Sequence, residues 1–272
     1  MTAAASTVTI AGELTLSYAE QGHASDLPVL LLPGPTDSWR SYRGTLDHLP
    51  SSVRAVALSQ RGHGDSDKPE TGYRVEDFAT DVLAFLDALA IERVVLVAHS
   101  GSCLVARRVA LERPDRVAGL VLEASPSTLR DDAGLRRFVD SVVSTLADPV
   151  GRDVARSFAA GTSSGTVADD TLEGIVDEVV KVPVRVWRET FADLLQYDDL
   201  SELGRIDAPT LLVWGDADGL VGRDAQEQLL DGLGDARLMV YAGVGHTPRW
   251  EDPPRFASDV ADFVEWLRQG RP

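Results

Sequence analysis

Six short apolar runs constrain this chain most: Val29–Leu32, Val53–Leu58, Arg93–Ala98, Val117–Leu122, Thr210–Trp214 and Arg237–Tyr241. Each is rich in Val and Leu on both parities, and glycine, proline or polar residues follow it. A strand with one wet face alternates. A strand apolar on both parities is buried on both sides, as in a parallel sheet covered by helices. Helix-period segments fall between the runs. Val75–Leu89 sets Phe78, Val82, Phe85, Leu86 and Leu89 on one face, and Gly101–Arg113, Arg223–Leu233 and Pro254–Leu267 are three more. Strand alternating with helix predicts a doubly wound α/β fold. Ahead of it, Val8–Tyr18 alternates and predicts an antiparallel hairpin turning at Gly12 and Glu13.

The alternation stops once. From Ser125 to about Arg205 no buried-strand run occurs, and Leu135–Leu146 and Val182–Leu195 are amphipathic at helical period, with a Gly/Ser/Thr loop at Gly161–Gly165. Residues 1–125 and 206–272 are therefore expected to form one α/β core, with 126–205 as a helical lid inserted over the strands' carboxyl ends. A length of 272 residues suits a single core with such an insert.

Charge narrows the partners. The chain has 26 Lys+Arg against 43 Asp+Glu, a net charge of −17, and its lysines are Lys68 and Lys181. Nucleic acids and anionic membranes need clustered cations, so neither is an expected partner. One cysteine, Cys103, excludes an intrachain disulfide and a Cys-rich zinc site. No metal-ligand spacing occurs, and Gly62-His63-Gly64 lacks the Lys and the following helix of a phosphate loop, so no metal or cofactor is expected. The first residues lack the basic and long apolar regions of a signal peptide, and no apolar stretch is long enough to span a bilayer. The expectation is a cytoplasmic protein, monomer or homodimer, acting on a small molecule.

Ligands of an open parallel sheet bind beyond the strands' carboxyl ends. There the chain carries Pro33-Gly34-Pro35-Thr36, Arg61-Gly62-His63-Gly64, His99-Ser100-Gly101-Ser102, Glu123-Ala124-Ser125, Gly215-Asp216-Ala217-Asp218 and Gly245-His246. Ser, acid and His thus follow one another in chain order. Ser100 lies between a strand and a helix, flanked by small Ala98 and Ser102, as a tight turn exposing its hydroxyl requires. The helix start beside it would favour a developing oxyanion.

With these motifs, Leu31-Leu32-Pro33-Gly34, Arg61-Gly62-His63-Gly64-Asp65-Ser66 and Gly245-His246-Thr247-Pro248-Arg249-Trp250-Glu251-Asp252-Pro253 in this order, the chain resembles the α/β-hydrolase superfamily over nearly its whole length. The likeness is to its lid-bearing esterase, haloperoxidase and epoxide-hydrolase-like branch. It implies a mostly parallel sheet of about eight strands with helices on both faces. It also implies Ser100 as nucleophile, His246 as base and Asp218 as the acid orienting His246. Glu123, after the preceding strand, is the alternative acid. Ser at position 100 argues against dehalogenase and epoxide-hydrolase chemistry, whose relatives use Asp there.

Two positions depart from the family pattern. The second oxyanion donor of the family aligns with Pro35, which has no N–H, leaving Gly101 N–H with Thr36 as the substitute donor. Gly101 also replaces a bulkier residue. Trp39, Phe138, Val142, Trp187, Phe191 and Leu195 are the expected pocket walls. The resemblance implies a serine hydrolase of a small-to-medium apolar carboxylic ester or lactone. The alternatives are hydrolysis of a C–C bond in a diketone, cofactor-free haloperoxidase or perhydrolase chemistry, and a ligand receptor with little or no turnover.

Overall fold

The computed structural model describes residues 4–11, 13–24, 27–165 and 167–270. Gly12 of the expected hairpin turn lies outside the described residues. Its neighbour Glu13 has φ +64°. Strands β1 (Ala4–Thr9) and β2 (Thr15–Gln21) pair antiparallel, with Thr9 opposite Thr15. They are followed by β3 (Val29–Leu32), β4 (Ala55–Leu58), β5 (Val94–His99), β6 (Val117–Glu123), β7 (Thr210–Gly215) and β8 (Ala236–Tyr241). The sheet order is β1-β2-β4-β3-β5-β6-β7-β8, with β2 antiparallel to β4 and every later pair parallel.

The helices are α1 (Arg43–His48), α2 (Val75–Ala88), α3 (Ser102–Glu112), α4 (Ala133–Ser141), α5 (Arg152–Ala160), α6 (Asp169–Val179), α7 (Val184–Leu194), α8 (Arg223–Gly232), α9 (Pro248–Glu251) and α10 (Pro253–Arg268). The both-parity pattern of the strands has its cause in two cores. Leu30, Leu32, Leu96 and Ala98 pack on one face with α2 and α3, while Val29, Leu31, Val95 and Val97 pack on the other with α10. The chain winds one way from β3 to β4 and the other way from β5 onward, so a crevice opens between the carboxyl ends of β3 and β5. No helix among the described residues is long and apolar enough to cross a membrane.

Between β6 and β7 the chain runs through α4 to α7. The stretch Leu135–Leu146 is not one helix. It stops at Ser141 and continues after Val142 as a 3-10 turn, Val143–Thr145. Ser141, Ser144 and Thr145 hydroxyls bond the carbonyls of Arg137, Asp140 and Val142, competing with the helical ladder. Arg107 of α3 fastens both roots of this segment. Fully buried, it donates to the carbonyls of Pro126 and Ser127 and to both oxygens of Asp199.

His63 is structural. Its Nδ1–H donates to Arg61 O at 2.7 Å, its ring lies against Phe78, and burial pulls its pKa down to about 4. The unfolded chain titrates near 6.5, so the neutral ring contributes full stability above that pH and loses it as pH falls toward 4. The loss should reach about 3 kcal/mol. Urea melts from pH 7 to 4 should show a shallower pH slope for His63→Gln than for wild type; equal slopes would refute this account.

Candidate active site

At the end of β5 the backbone turns through Ser100 at φ +54°, a conformation that L residues avoid and that puts the hydroxyl at the strand–helix corner. The small neighbours are needed. Ala98 is fully buried, and Ser102 Oγ donates to Pro33 O at 2.6 Å, tying the start of α3 to the end of β3. Ser100 N–H donates to Glu123 O, anchoring the corner to β6. Cys103 packs beneath it, its Sγ on Ala98 O, and burial raises its thiol pKa to about 12, outside any nucleophilic range.

Two loops bring the partners. His246 Nε2 lies 2.9 Å from Ser100 Oγ, and His246 Nδ1 lies 2.8 Å from Asp218 Oδ2. A carboxylate only accepts, so Nδ1 carries the proton and Nε2 is left to accept from the Ser100 hydroxyl. Asp218 Oδ1 takes the N–H groups of Leu220 and Val221, which fixes the carboxylate, and its side chain is 0 % exposed. Asp216 shapes the turn by accepting Gly243 N–H at 2.6 Å, which fastens the acid loop to the His loop. His99 donates from Nε2 to His246 O at 3.0 Å and packs edge-on against the His246 ring. Burial, Arg249 and His246 hold its pKa well below that of a free histidine.

The Gly161–Gly165 loop also reaches this point. His246 N–H donates to Thr162 O at 3.0 Å, and Glu251 accepts both Gly245 N–H and Ser164 N–H.

Glu123 does not face His246 Nδ1. It is fully buried and accepts from Arg249 N–H at 2.8 Å and from Arg249 Nη1 at 3.3 Å. The carboxylate beside the imidazole is that of Asp218, because its loop passes there while the Glu123 side chain is taken up by a cation. Arg249 was not singled out in the sequence, although it stands in the His246 motif. Its guanidinium bonds Glu123, Asp37 and Ser41 and lies over the Tyr42 and Trp250 rings at 5.2 and 4.6 Å. Burial raises the pKa of both carboxyls, against the pull of Arg249.

Ser100 and His246 open into a cavity of about 560 Å³ between the strand ends and the inserted helices. Phe138 and Phe191 line it as expected from the sequence, together with Leu135, Phe158, Leu194, Leu220 and Trp250. Trp39, Val142, Trp187 and Leu195 do not. Trp39 is turned into the α10-side core. Trp187 lies behind the wall, its ring against Phe158 and Phe191. Val142 follows the last residue of α4 and packs on the core. In α7 one residue turns the helix by about 100°, so Leu194 faces the cavity in place of Leu195. Periodicity finds an apolar face but does not say which part of it meets a void.

A sequence model for the alpha/beta hydrolase fold matches residues 28–253. The chain belongs to the α/β-hydrolase fold family. A Variovorax paradoxus protein named for carbamate hydrolysis, RutD, is 30 % identical over 260 residues, covering 92 % of this chain and 96 % of that one. A non-heme chloroperoxidase of Streptomyces lividans is 28 % identical, covering 95 % of this chain and 99 % of that one. A Paraburkholderia xenovorans 2-hydroxy-6-oxononadienedioate/2-hydroxy-6-oxononatrienedioate hydrolase is also 28 % identical, covering 93 % of this chain and 91 % of that one. Among solved structures, a Bacillus anthracis bromoperoxidase superimposes with a TM-score of 0.86 at 20 % identity, covering 96 % of this chain and 100 % of that chain, a likeness of fold alone.

This α/β-hydrolase departs from its family at two positions that touch each other. Gly34–Asp37 is a turn closed by Asp37 N–H on Gly34 O, with Thr36 at φ +75°. A Cβ on Gly101 would lie 2.9 Å from Pro35 Cγ and 3.2 Å from Leu194 Cδ1. The proline ring fills the room that a side chain at 101 would take, so Gly101 does not enlarge the pocket floor. Thr36 does not line the cavity, and its Oγ1 is buried without a partner. The Thr36 hydroxyl therefore does not stand at the cavity as a substitute donor; Pro35 and Gly101 border the cavity at this point.

Proposed function

We propose that this protein is a serine hydrolase that cleaves a small-to-medium apolar carboxylic ester or lactone through an acyl-Ser100 intermediate. The observation that carries the reading is the unbroken relay Ser100 Oγ–His246 Nε2 and His246 Nδ1–Asp218 Oδ2, at 2.9 and 2.8 Å, under an apolar cavity. Ser100 Oγ attacks the carbonyl carbon as its proton passes to His246 Nε2, and Asp218 stabilises the imidazolium. The oxyanion meets Gly101 N–H at the start of α3. Collapse expels the alcohol, protonated by His246, and water attacks acyl-Ser100 by the reverse route. Wild-type enzyme should be labelled at Ser100 by a fluorophosphonate and release a burst of chromophore from acyl nitrophenyl esters. Neither labelling nor turnover across an ester series would overturn the proposal.

A second reading draws on Pro35. Without the N–H of the family's second donor, ordinary ester hydrolysis is handicapped, which favours a C–C hydrolase of a diketone or a perhydrolase in which hydrogen peroxide takes the place of water. Rates on matched esters, with and without peroxide, and on diketones separate these. The handicap is itself testable. Pro35→Ala restores an N–H at a position whose backbone Ala tolerates and should raise kcat on esters up to about 10²-fold. An unchanged kcat in a folded variant would show that Pro35 withholds nothing from the transition state.

A further inference from the structure

Asp37 is a largely buried carboxylate that borders the substrate cavity. It is 6 % exposed and lies at the end of the Gly34–Asp37 turn. Its Oδ2 accepts from Ser41 Oγ at 3.0 Å and from Arg249 Nη2 at 2.7 Å, whereas Oδ1 takes no hydrogen bond from any described residue. A carboxylate offers about four acceptor positions, and burying one half-satisfied is costly. Arg249 does not remove the demand, because the same guanidinium also serves buried Glu123. The other charged residues on the cavity wall, Asp132 and Arg137, are solvent-exposed on or beside α4, and Asp132 caps that helix. Asp37 is thus a largely buried carboxylate with an unspent acceptor oxygen beside an apolar chamber.

We infer that Asp37 Oδ1 is a substrate subsite, an acceptor for a hydroxyl or amide N–H carried by the ester; the inference rests on the hydrolase reading above. A purely hydrocarbon substrate would expel water from Oδ1 and leave it unpaired. A substrate with a donor in reach replaces that water with a hydrogen bond to a buried charge. A site built to bond a donor rejects the analogue lacking it more strongly than an apolar pocket rejects a methyl group.

Two isosteric pairs test it. One varies the acyl half: nitrophenyl 3-hydroxybutanoate against nitrophenyl 3-methylbutanoate. The other varies the alcohol: 2-hydroxypropyl butanoate against 2-methylpropyl butanoate. In at least one pair the hydroxyl member should have a kcat/KM about 10- to 100-fold higher. In Asp37→Asn the Ser41 and Arg249 donors hold the amide oxygen, so the –NH2 faces the cavity and the preference should fall to parity or reverse. The ratio within a pair is insensitive to how much of the variant folds, and the wild-type ratio needs no variant. Equal rates within both wild-type pairs would overturn the subsite, as would a preference that survives in Asp37→Asn. No turnover of any of the four esters would instead overturn the hydrolase reading.

Discussion

Ser100→Ala should lower ester turnover by about 10⁴- to 10⁶-fold while leaving the fold and its melting temperature close to wild type. The first half follows from covalent chemistry. Without Oγ no acyl-enzyme forms, and what remains is the Gly101 donor and the binding of the substrate, with His246 able only to activate a water. The second half follows from local structure. Ser100 sits at φ +54°, and Ala at that place keeps the same Cβ and bears the same backbone strain. The backbone bond of residue 100 to Glu123 O is retained. The single side-chain hydrogen bond lost is the one to His246 Nε2. Turnover and fluorophosphonate labelling check the first half, and a thermal melt the second. Turnover within tenfold of wild type would move the reaction to another nucleophile.

The parts of this molecule legible in the sequence are those where one physical demand acts on neighbouring residues. Apolar runs such as Val94–Ala98 declare both-face burial, because every position meets a core. The elbow is legible because a tight turn needs small Ala98 and Ser102 around Ser100. The family resemblance implies Asp218, after β7, over Glu123, after β6, and the side chains are divided that way, each with its own partner. Other features depend on residues far apart in the chain. Arg249 reads as one charge in a loop until folding places it between Asp37 and Glu123, separated from them by 212 and 126 positions. The Pro35 and Gly101 departures look independent until a ring is seen filling the place of a Cβ. Pocket walls were legible only as apolar faces, so Phe138 and Phe191 were found while Trp187, on the same face as Phe191, lies one layer behind.

Replacing the two buried acids near His246 should separate catalysis from stability. In Asp218→Asn the amide oxygen is claimed by the Leu220 and Val221 N–H groups that now bind Oδ1, so the –NH2 points at His246 Nδ1. Nδ1 must then accept, which moves the imidazole proton to Nε2. That nitrogen faces Ser100 Oγ and can no longer take its proton. Turnover should fall about 10⁴-fold with little change in fold, and recover partly at high pH, where hydroxide replaces the missing base. Glu123→Gln should do the reverse. Glu123 is 0 % exposed and its partners are Arg249 N–H and Nη1, so the variant leaves a buried guanidinium with Asp37 as its remaining counter-charge. Stability should drop by about 3 kcal/mol, read as a lower denaturation midpoint, while turnover per folded molecule stays within about tenfold. The two effects are read on different instruments, a denaturant melt and a steady-state assay. If Glu123→Gln abolishes turnover in folded enzyme and Asp218→Asn does not, the acid of the relay is Glu123, and the short Asp218–His246 contact serves only to hold the loop.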